Sequence, residues 1–121
     1  MNFKIGNDII EVQRIERIIK KFPSKFKTRV FTDNEIDYCE KKGINKYQSY
    51  AARFAAKEAI FKAISDSLPN KYSIDWKDIE IINDISGRPH VTVNNVNVSS
   101  IDVSLSHSKD YAIATALVVI K

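Results

Sequence analysis

An alanine-rich stretch in the middle of the chain decides the fold. It reads Ala51-Ala52-Arg53-Phe54-Ala55-Ala56-Lys57-Glu58-Ala59-Ile60-Phe61-Lys62-Ala63. Alanine has the highest helix propensity of all residues, so the stretch predicts the centre of a long helix over residues 47–68. Alanines lie on nearly every side of that helix. We therefore expect it to pack closely against neighbouring backbone.

The charged residues of this helix pair at helical spacing. Glu58 and Lys62 lie four residues apart and therefore side by side, as do Arg53 and Lys57. The simpler interpretation is a solvated ladder of ion pairs, each contributing about 0.2–0.5 kcal/mol. The surrounding alanines weaken that interpretation, because they predict that some of these charges are partly buried and need strong partners.

The residues before this helix predict one strand and two shorter helices. Residues 2–9 alternate in polarity, which predicts a half-buried strand with Asp8 at its end. Apolar residues then recur at helical spacing until Pro23 ends the run. Thr32-Asp33-Asn34-Glu35 is a capping box that begins the second helix. Gly43 is suited to end that helix with a left-handed turn.

After Pro69 the composition turns to strand-forming residues. The pattern predicts strands over residues 74–82, 91–98, 101–105 and 111–120. Turns are predicted at residues 86–89 and 108–110. The order of one strand, three helices and several strands predicts a single α+β domain over residues 1–121, with an antiparallel sheet and helices packed on one of its faces.

Composition bounds the possible partners. The chain has 121 residues, enough for one core. No apolar run approaches the ~20 residues of a bilayer span and no signal peptide is evident, so we expect a cytoplasmic protein without a membrane partner. The single cysteine, Cys39, forms neither an internal disulfide nor a zinc pattern and is expected to serve packing. A formal charge of +4 favours an acidic partner, whether nucleic acid, anionic lipid or protein.

Asp8 and Glu58 form a candidate metal site. A helix packed on the sheet can bring Glu58 to the end of the strand that carries Asp8. Magnesium commonly uses one or two protein carboxylates and completes its shell with water and phosphate oxygens. Such a site implies a phosphate-bearing substrate, whose charge Lys62 would offset. Taken alone, Asp8 is more simply explained as a helix cap.

A second polar cluster ends a strand and enters a tight turn. It reads Ser104-Leu105-Ser106-His107-Ser108. Its hydroxyls, imidazole and turn amides could bind an anion, although an ordinary polar hairpin is the simpler interpretation. The cluster lacks the Gly-x-Ser-x-Gly elbow of serine hydrolases. His90, beside Pro89, is interpreted as structural.

Considered together, these motifs resemble the holo-acyl-carrier-protein synthases. The resemblance covers nearly the whole chain and keeps the order of five fragments: Ile5-Gly6-Asn7-Asp8-Ile9, Ala52-Arg53-Phe54-Ala55-Ala56-Lys57-Glu58-Ala59, Asp78-Ile79-Glu80-Ile81, Gly87-Arg88-Pro89 and Ser104-Leu105-Ser106-His107. Each fragment is a weak signal alone, but their order within so short a chain is a strong one. Asn7 departs from the family pattern, which usually has a branched or apolar residue there, and Ser65 stands where glycine is common.

The resemblance implies a 4'-phosphopantetheinyl transferase fold and its reaction. That reaction moves 4'-phosphopantetheine from coenzyme A to a serine of apo-acyl carrier protein, releases adenosine 3',5'-bisphosphate and supports fatty acid biosynthesis. Asp8 and Glu58 would bind Mg²⁺, and Lys62 would contact the phosphates. Glu58, directly or through a water on the metal, would accept the serine proton. Asp8, Glu58 and Lys62 are thus the expected catalytic residues.

The resemblance also implies the remaining contacts. Coenzyme A would be held by His107 and Ser108 at its 3'-phosphate and by Gly87, Arg88 and Pro89 near its adenine. The family forms homotrimers with active sites between subunits. Its first helix meets the acidic helix of the carrier protein, which makes these residues the expected carrier-protein contacts: Arg14, Arg17, Lys21, Phe26 and Phe54.

Two other functions are weighed against this one. A basic nucleic-acid-binding module explains the charge, but Asp8 and Glu58 would repel a phosphate backbone, and no basic, aromatic-studded strand is evident. We therefore expect no nucleic-acid partner. A carrier-protein-binding module without catalysis is disfavoured because Asp8, Glu58 and Lys62 are all present.

Overall fold

A computed structural model describes residues 2–70 and 73–120 of the chain. In these residues the strands are β1 Asn2–Glu11, β2 Ile79–Asn83, β3 Pro89–Val93, β4 Val98–His107 and β5 Tyr111–Ile120. The α-helices are α1 Val12–Lys21, α2 Lys25–Val30, α3 Asp33–Glu40 and α4 Lys46–Ile64. The α+β class is confirmed. The strands form two antiparallel sheets, one with order β1-β5-β4 and one that pairs β2 with β3.

Helix α4 packs on the inner face of the three-stranded sheet through small side chains, as its alanines predict. Buried alanines line both elements: Ala55, Ala56, Ala59 and Ala63 on the helix, and Ala112, Ala114 and Ala116 on β5. The two elements approach closely at Gly6 of β1. A Cβ atom there would collide with the carbonyl oxygen of Ala59 and lie 2.9 Å from the backbone nitrogen of Ala63. Only glycine therefore fits at this point of the strand.

A buried ion pair ties α4 to the elements on its other side. The Lys57 ammonium lies 2.7 Å from Glu35 Oε1, and both side chains are fully buried. Lys57 also donates to three backbone carbonyl oxygens, those of Val30, Trp76 and Ile79. Glu35 completes the predicted capping box with Thr32 and accepts the backbone N–H of Ile81 at 2.9 Å. Removal of one partner from such a pair costs roughly 3–5 kcal/mol, because the other charge is left buried.

The helices differ from prediction mainly at their ends. The short helix α2, Lys25–Val30, was not predicted. Helix α3 ends at Glu40, and Gly43, with φ of 61°, begins a separate 3-10 turn. Helix α4 ends at Ile64 and continues as a 3-10 turn rather than as α-helix to residue 68.

Two of the predicted strands are shorter than expected. The strand predicted over residues 74–82 begins only at Ile79, because Trp76–Asp78 form a 3-10 turn that Asp75 caps. The strand predicted over residues 91–98 ends at Val93, shortly before Asn95 adopts a φ of 66°. By contrast, β5 matches its prediction.

The structure can be compared with two expectations from composition, one on the role of Cys39 and one on membrane-spanning segments. Cys39 is fully buried, as its expected packing role requires, and burial raises the pKa of its thiol to about 11. None of the helices in residues 2–70 and 73–120 has the length and hydropathy that a membrane crossing needs.

We expect Gly6→Ala to destabilise the protein by about 3 kcal/mol or more, because the backbone of α4 would have to move away from β1. Urea unfolding measures the loss. Asn2→Ala, at an exposed position of the same strand, is the control and should change the free energy of unfolding by less than about 0.5 kcal/mol. Equal stability of both variants would contradict the close contact.

Candidate active site

Asp8 lies on the side of β1 that faces α4. Along this strand Gly6 and Ile10 are buried while Ile5 and Ile9 are exposed, so the alternation places Asp8 inward. The Asp8 side chain is 18% exposed, and its Oδ1 lies 3.1 Å from the Lys62 ammonium. Asp8 is therefore not a helix cap, since it pairs with α4 instead.

Glu58 lies one turn before Lys62 on α4 and is half-buried. Burial raises the pKa of Glu58, and the negative charge of Asp8 raises it further, whereas Lys62 and Arg14 lower it. The charge of Asp8 therefore acts on Glu58, and the two carboxylates share one electrostatic environment. Ionised carboxylates in such an environment repel each other, and a bound cation would relieve the repulsion.

The donor set fits magnesium better than a structural metal. In the described part of the chain, no cluster of three or more histidine, cysteine or acidic side chains is arranged to hold a metal ion. Two carboxylates are sufficient for Mg²⁺, which takes its remaining oxygens from water and phosphate. We refer to Asp8, Glu58 and Lys62 as the acidic site.

Lys62 makes contacts that were not expected for it. It was expected to meet phosphate, and it pairs with Asp8 and donates to the backbone carbonyl oxygen of Asn7 at 3.0 Å. Its side chain is nevertheless 55% exposed. The ammonium is therefore accessible from solvent while it offsets the charge of Asp8.

A cleft of about 850 Å³ brings together the two motifs expected to hold coenzyme A. Its walls include the turn Gly87, Arg88 and Pro89, and His107 at the end of β4. Ser108 is absent from these walls, and its hydroxyl instead accepts the backbone N–H groups of Asp110 and Tyr111 in the β4–β5 hairpin. The residues of the acidic site do not line the cleft.

Arg53 also lines the cleft, and sequence reasoning did not assign it there. The residue is only 3% exposed, its guanidinium carbon lies 3.9 Å from the centre of the Tyr38 ring, and its Nε has no hydrogen-bond partner among the described residues. A buried guanidinium with an unpaired N–H favours an anion. The alanines around Arg53 predicted that some charged side chains of this helix are buried. They did not indicate which of the charged residues would be buried.

Asp84 organises the turn that forms one wall of the cleft. Its carboxylate accepts the hydroxyl of Ser86 at 2.6 Å and the backbone N–H groups of Ser86 at 2.9 Å and Arg88 at 3.0 Å. His90 Nε2 lies 2.7 Å from the other Asp84 oxygen, which agrees with a structural role for His90. The Ser86 hydroxyl, followed by His90, holds the pKa of Asp84 well below its usual range. At neutral pH the turn is therefore built around a carboxylate.

The predicted basic face of α1 is present. Arg14, Arg17 and Lys21 are all exposed on the side opposite the buried residues of the helix. Phe26 and Phe54 are half-buried, with ring centres 5.9 Å apart. Phe26 also lines a shallow groove of about 350 Å³, which we call the aromatic groove, together with Phe22, Lys25, Arg29, Val30 and Trp76.

The outer face of the three-stranded sheet, which points away from α4, exposes large apolar side chains. Ile5 is 69% exposed and Ile9 61% exposed on β1, and Ile113 and Leu117 are exposed beside them on β5. Exposed apolar patches of this kind are typical of interaction sites.

Comparison with known proteins identifies the family. The sequence profile of the 4'-phosphopantetheinyl transferase superfamily matches residues 4–116. The chain belongs to this superfamily. The holo-(acyl-carrier-protein) synthase of Ruminiclostridium cellulolyticum is 44% identical over 126 residues, covering 98% of this chain and 92% of the relative. The expected family is confirmed.

Solved structures of holo-(acyl-carrier-protein) synthases confirm the fold. The holo-(acyl-carrier-protein) synthase of Helicobacter pylori, solved in complex with coenzyme A, has a TM-score of 0.82 and 33% identity, covering 94% of this chain and 98% of that one. The Bacillus anthracis synthase, solved in complex with coenzyme A (3',5'-ADP), has a TM-score of 0.80 and 34% identity, covering 98% of this chain and 96% of that one.

Proposed function

We propose that this chain is a magnesium-dependent holo-(acyl-carrier-protein) synthase. It transfers 4'-phosphopantetheine from coenzyme A to a serine of apo-acyl carrier protein and releases adenosine 3',5'-bisphosphate. The observation that carries the proposal is the acidic site, where Asp8 and Glu58 share one environment beside Lys62. Family membership and the coenzyme A complexes of the relatives support the same reaction.

Each residue of the acidic site has a separate role in the proposed reaction. Asp8 and Glu58 would hold Mg²⁺, which when bound offsets the charge on the diphosphate oxygens. Lys62 adds positive charge where the diphosphate arrives. The serine oxygen forms a bond to the β-phosphorus of coenzyme A as the bond to the departing adenosine 3',5'-bisphosphate breaks. Glu58 accepts the serine proton directly or through water.

The cleft would hold the nucleotide part of coenzyme A. His107 and the buried Arg53 offer donors to the 3'-phosphate, and the turn formed by Gly87, Arg88 and Pro89 offers a surface for the adenine. Ser108 as a further phosphate contact stays a prediction. The exposed Arg14, Arg17 and Lys21, with Phe26 and Phe54 nearby, fit an acidic helix of the carrier protein.

We expect Asp8→Ala and Glu58→Ala to abolish magnesium-dependent transfer while the protein stays folded, because each removes one of the two metal ligands. The assay incubates enzyme, apo carrier protein, coenzyme A and Mg²⁺ and weighs the carrier protein by mass spectrometry. Asp37→Ala removes an exposed carboxylate that pairs with Lys41, and it should leave the rate unchanged. A normal rate in either site variant would reject the metal assignment.

Charge reversal at Arg14 and Lys21 should raise the KM for carrier protein about tenfold and weaken its salt dependence, since long-range attraction to an acidic partner is lost. The KM for coenzyme A should change much less than the KM for carrier protein. Lys41→Glu, a reversal at an exposed site on another element, is the control. An unchanged KM for carrier protein would rule out α1 as the docking helix.

A homotrimer with active sites between subunits is the assembly we propose. Two observations support self-association: the acidic site and the cleft share no residue, and the outer face of the sheet exposes Ile5, Ile9, Ile113 and Leu117. An assembly in which the cleft of one copy lies beside the acidic site of a neighbour would explain why the two share no residue. Contact between copies would also cover the exposed apolar face.

We expect light scattering to give three times the chain mass, and Ile113→Glu to give single chains, because a charge cannot be buried unpaired in an apolar interface. Ile85→Glu, a fully exposed isoleucine outside that face, is the control. A single-chain mass for the unmodified protein at working concentration would contradict the trimer.

Three further expectations from the sequence stay predictions: one domain over residues 1–121, a cytoplasmic location and a role in fatty acid biosynthesis. The nucleic-acid-binding alternative is less well supported, because Asp8, Glu58 and the exposed apolar sheet face have no use in it.

A further inference from the structure

The side-chain amide of Asn83 bridges two walls of the cleft. Its Oδ1 accepts a hydrogen bond from the Arg53 guanidinium at 2.6 Å, and its Nδ2 donates to the backbone carbonyl oxygen of Gly87 at 2.9 Å. Arg53 belongs to α4, and Gly87 belongs to the turn between β2 and β3. One amide group therefore joins a helix to a tight turn.

Asn83 supplies the shorter of the two hydrogen bonds that orient Arg53. The remaining one, from the same nitrogen to the Ile81 carbonyl oxygen, is 3.5 Å long. The Tyr38 ring restrains the flat face of the guanidinium but does not fix its rotation within the plane. Without Asn83 the guanidinium, including its unpaired Nε, would lose a fixed direction.

The turn depends on Asn83 from one side and on Asp84 from the other. Gly87 has a φ of 90°, a conformation that only glycine adopts readily, and lies in an exposed segment. Asp84 binds the N–H side of the turn, at Ser86 and Arg88, whereas Asn83 binds the carbonyl side at Gly87. Asn83 is thus the contact that fixes the turn relative to Arg53.

We propose that Asn83 is a positioning residue for coenzyme A binding, which acts through Arg53 to set the site for the 3'-phosphate and through Gly87 to hold the turn beside the adenine. This inference rests on the proposed function. Loss of the amide should therefore weaken nucleotide binding rather than the chemical step, and should weaken it most at the 3'-phosphate, because the shorter of its two hydrogen bonds holds Arg53. A charge-assisted hydrogen bond in such a place corresponds to about tenfold in affinity.

The experiment compares coenzyme A with dephospho-coenzyme A, which lacks only the 3'-phosphate. For Asn83→Ala we expect the KM of coenzyme A to rise about tenfold and the KM of dephospho-coenzyme A to rise less than threefold, because only the effect on the adenine through Gly87 remains, with kcat nearly unchanged. Asn97→Ala is the matched control, because Asn97 is an exposed asparagine outside the cleft. In an Arg53→Lys background, adding Asn83→Ala should change the KM of coenzyme A by less than threefold, because its effect passes largely through Arg53.

Calorimetric binding of adenosine 3',5'-bisphosphate and of adenosine 5'-monophosphate separates this inference from the proposed function. An unmodified protein that prefers the bisphosphate yet transfers nothing would contradict the function, and the loss of that preference in Asn83→Ala would still support the inference. A preference kept in full by Asn83→Ala would overturn the inference. If thermal unfolding shows that Asn83→Ala is not folded, Asn83→Ser, whose hydroxyl is too short to bridge both partners, takes its place with the same expected loss.

Discussion

The contact between the backbone of α4 and the backbone of β1 at Gly6 is the constraint on which the site depends. Since neither Gly6 nor Ala59 places bulk between the two elements, the helix lies directly on the strand. Asp8 follows two residues later on the same face of β1, and Glu58 and Lys62 flank the contact on α4. A larger spacing between α4 and β1 would separate the two carboxylates. The proposed metal site therefore depends on the short distance between these two backbones.

The charged side chains of helix α4 point to different sides of the helix. Arg53 faces the cleft, Lys57 enters the core to meet Glu35, and Glu58 with Lys62 faces β1. The core pair anchors the helix against rotation about its own axis, because Lys57 must reach three carbonyl oxygens as well as Glu35. A helix that cannot rotate about its axis presents its other charged side chains in fixed directions. A metal site and an anion site both require such fixed directions.

Local patterns made much of this structure predictable. The capping box at Thr32, the helical run of α1 and the alanines of α4 depend on residues a few positions apart, and each is present in the structure. Helix α2 was missed because six residues with no side-chain cap carry little periodic signal. Its place is set instead by the hydrogen bond from Lys57 to the carbonyl oxygen of Val30.

Long-range partners were less accessible to sequence reasoning. The proximity of Asp8 and Glu58 was inferred because a helix packed on the sheet can bring Glu58 to the strand that carries Asp8, and the family resemblance supported the same pairing. The pairing of Lys57 with Glu35 and of Arg53 with Asn83 joins residues 22 and 30 positions apart and was not foreseen. Burial of some charge on α4 was predictable from composition, but the identity of each partner depends on how the elements pack.

The packing of the aromatic groove has a practical consequence. Trp76, the only tryptophan of the chain, forms part of its wall and stacks on Phe54 with ring centres 5.2 Å apart. Because indole emission depends on the polarity around the ring, Trp76 fluorescence offers a dye-free way to detect a macromolecule that binds at this groove.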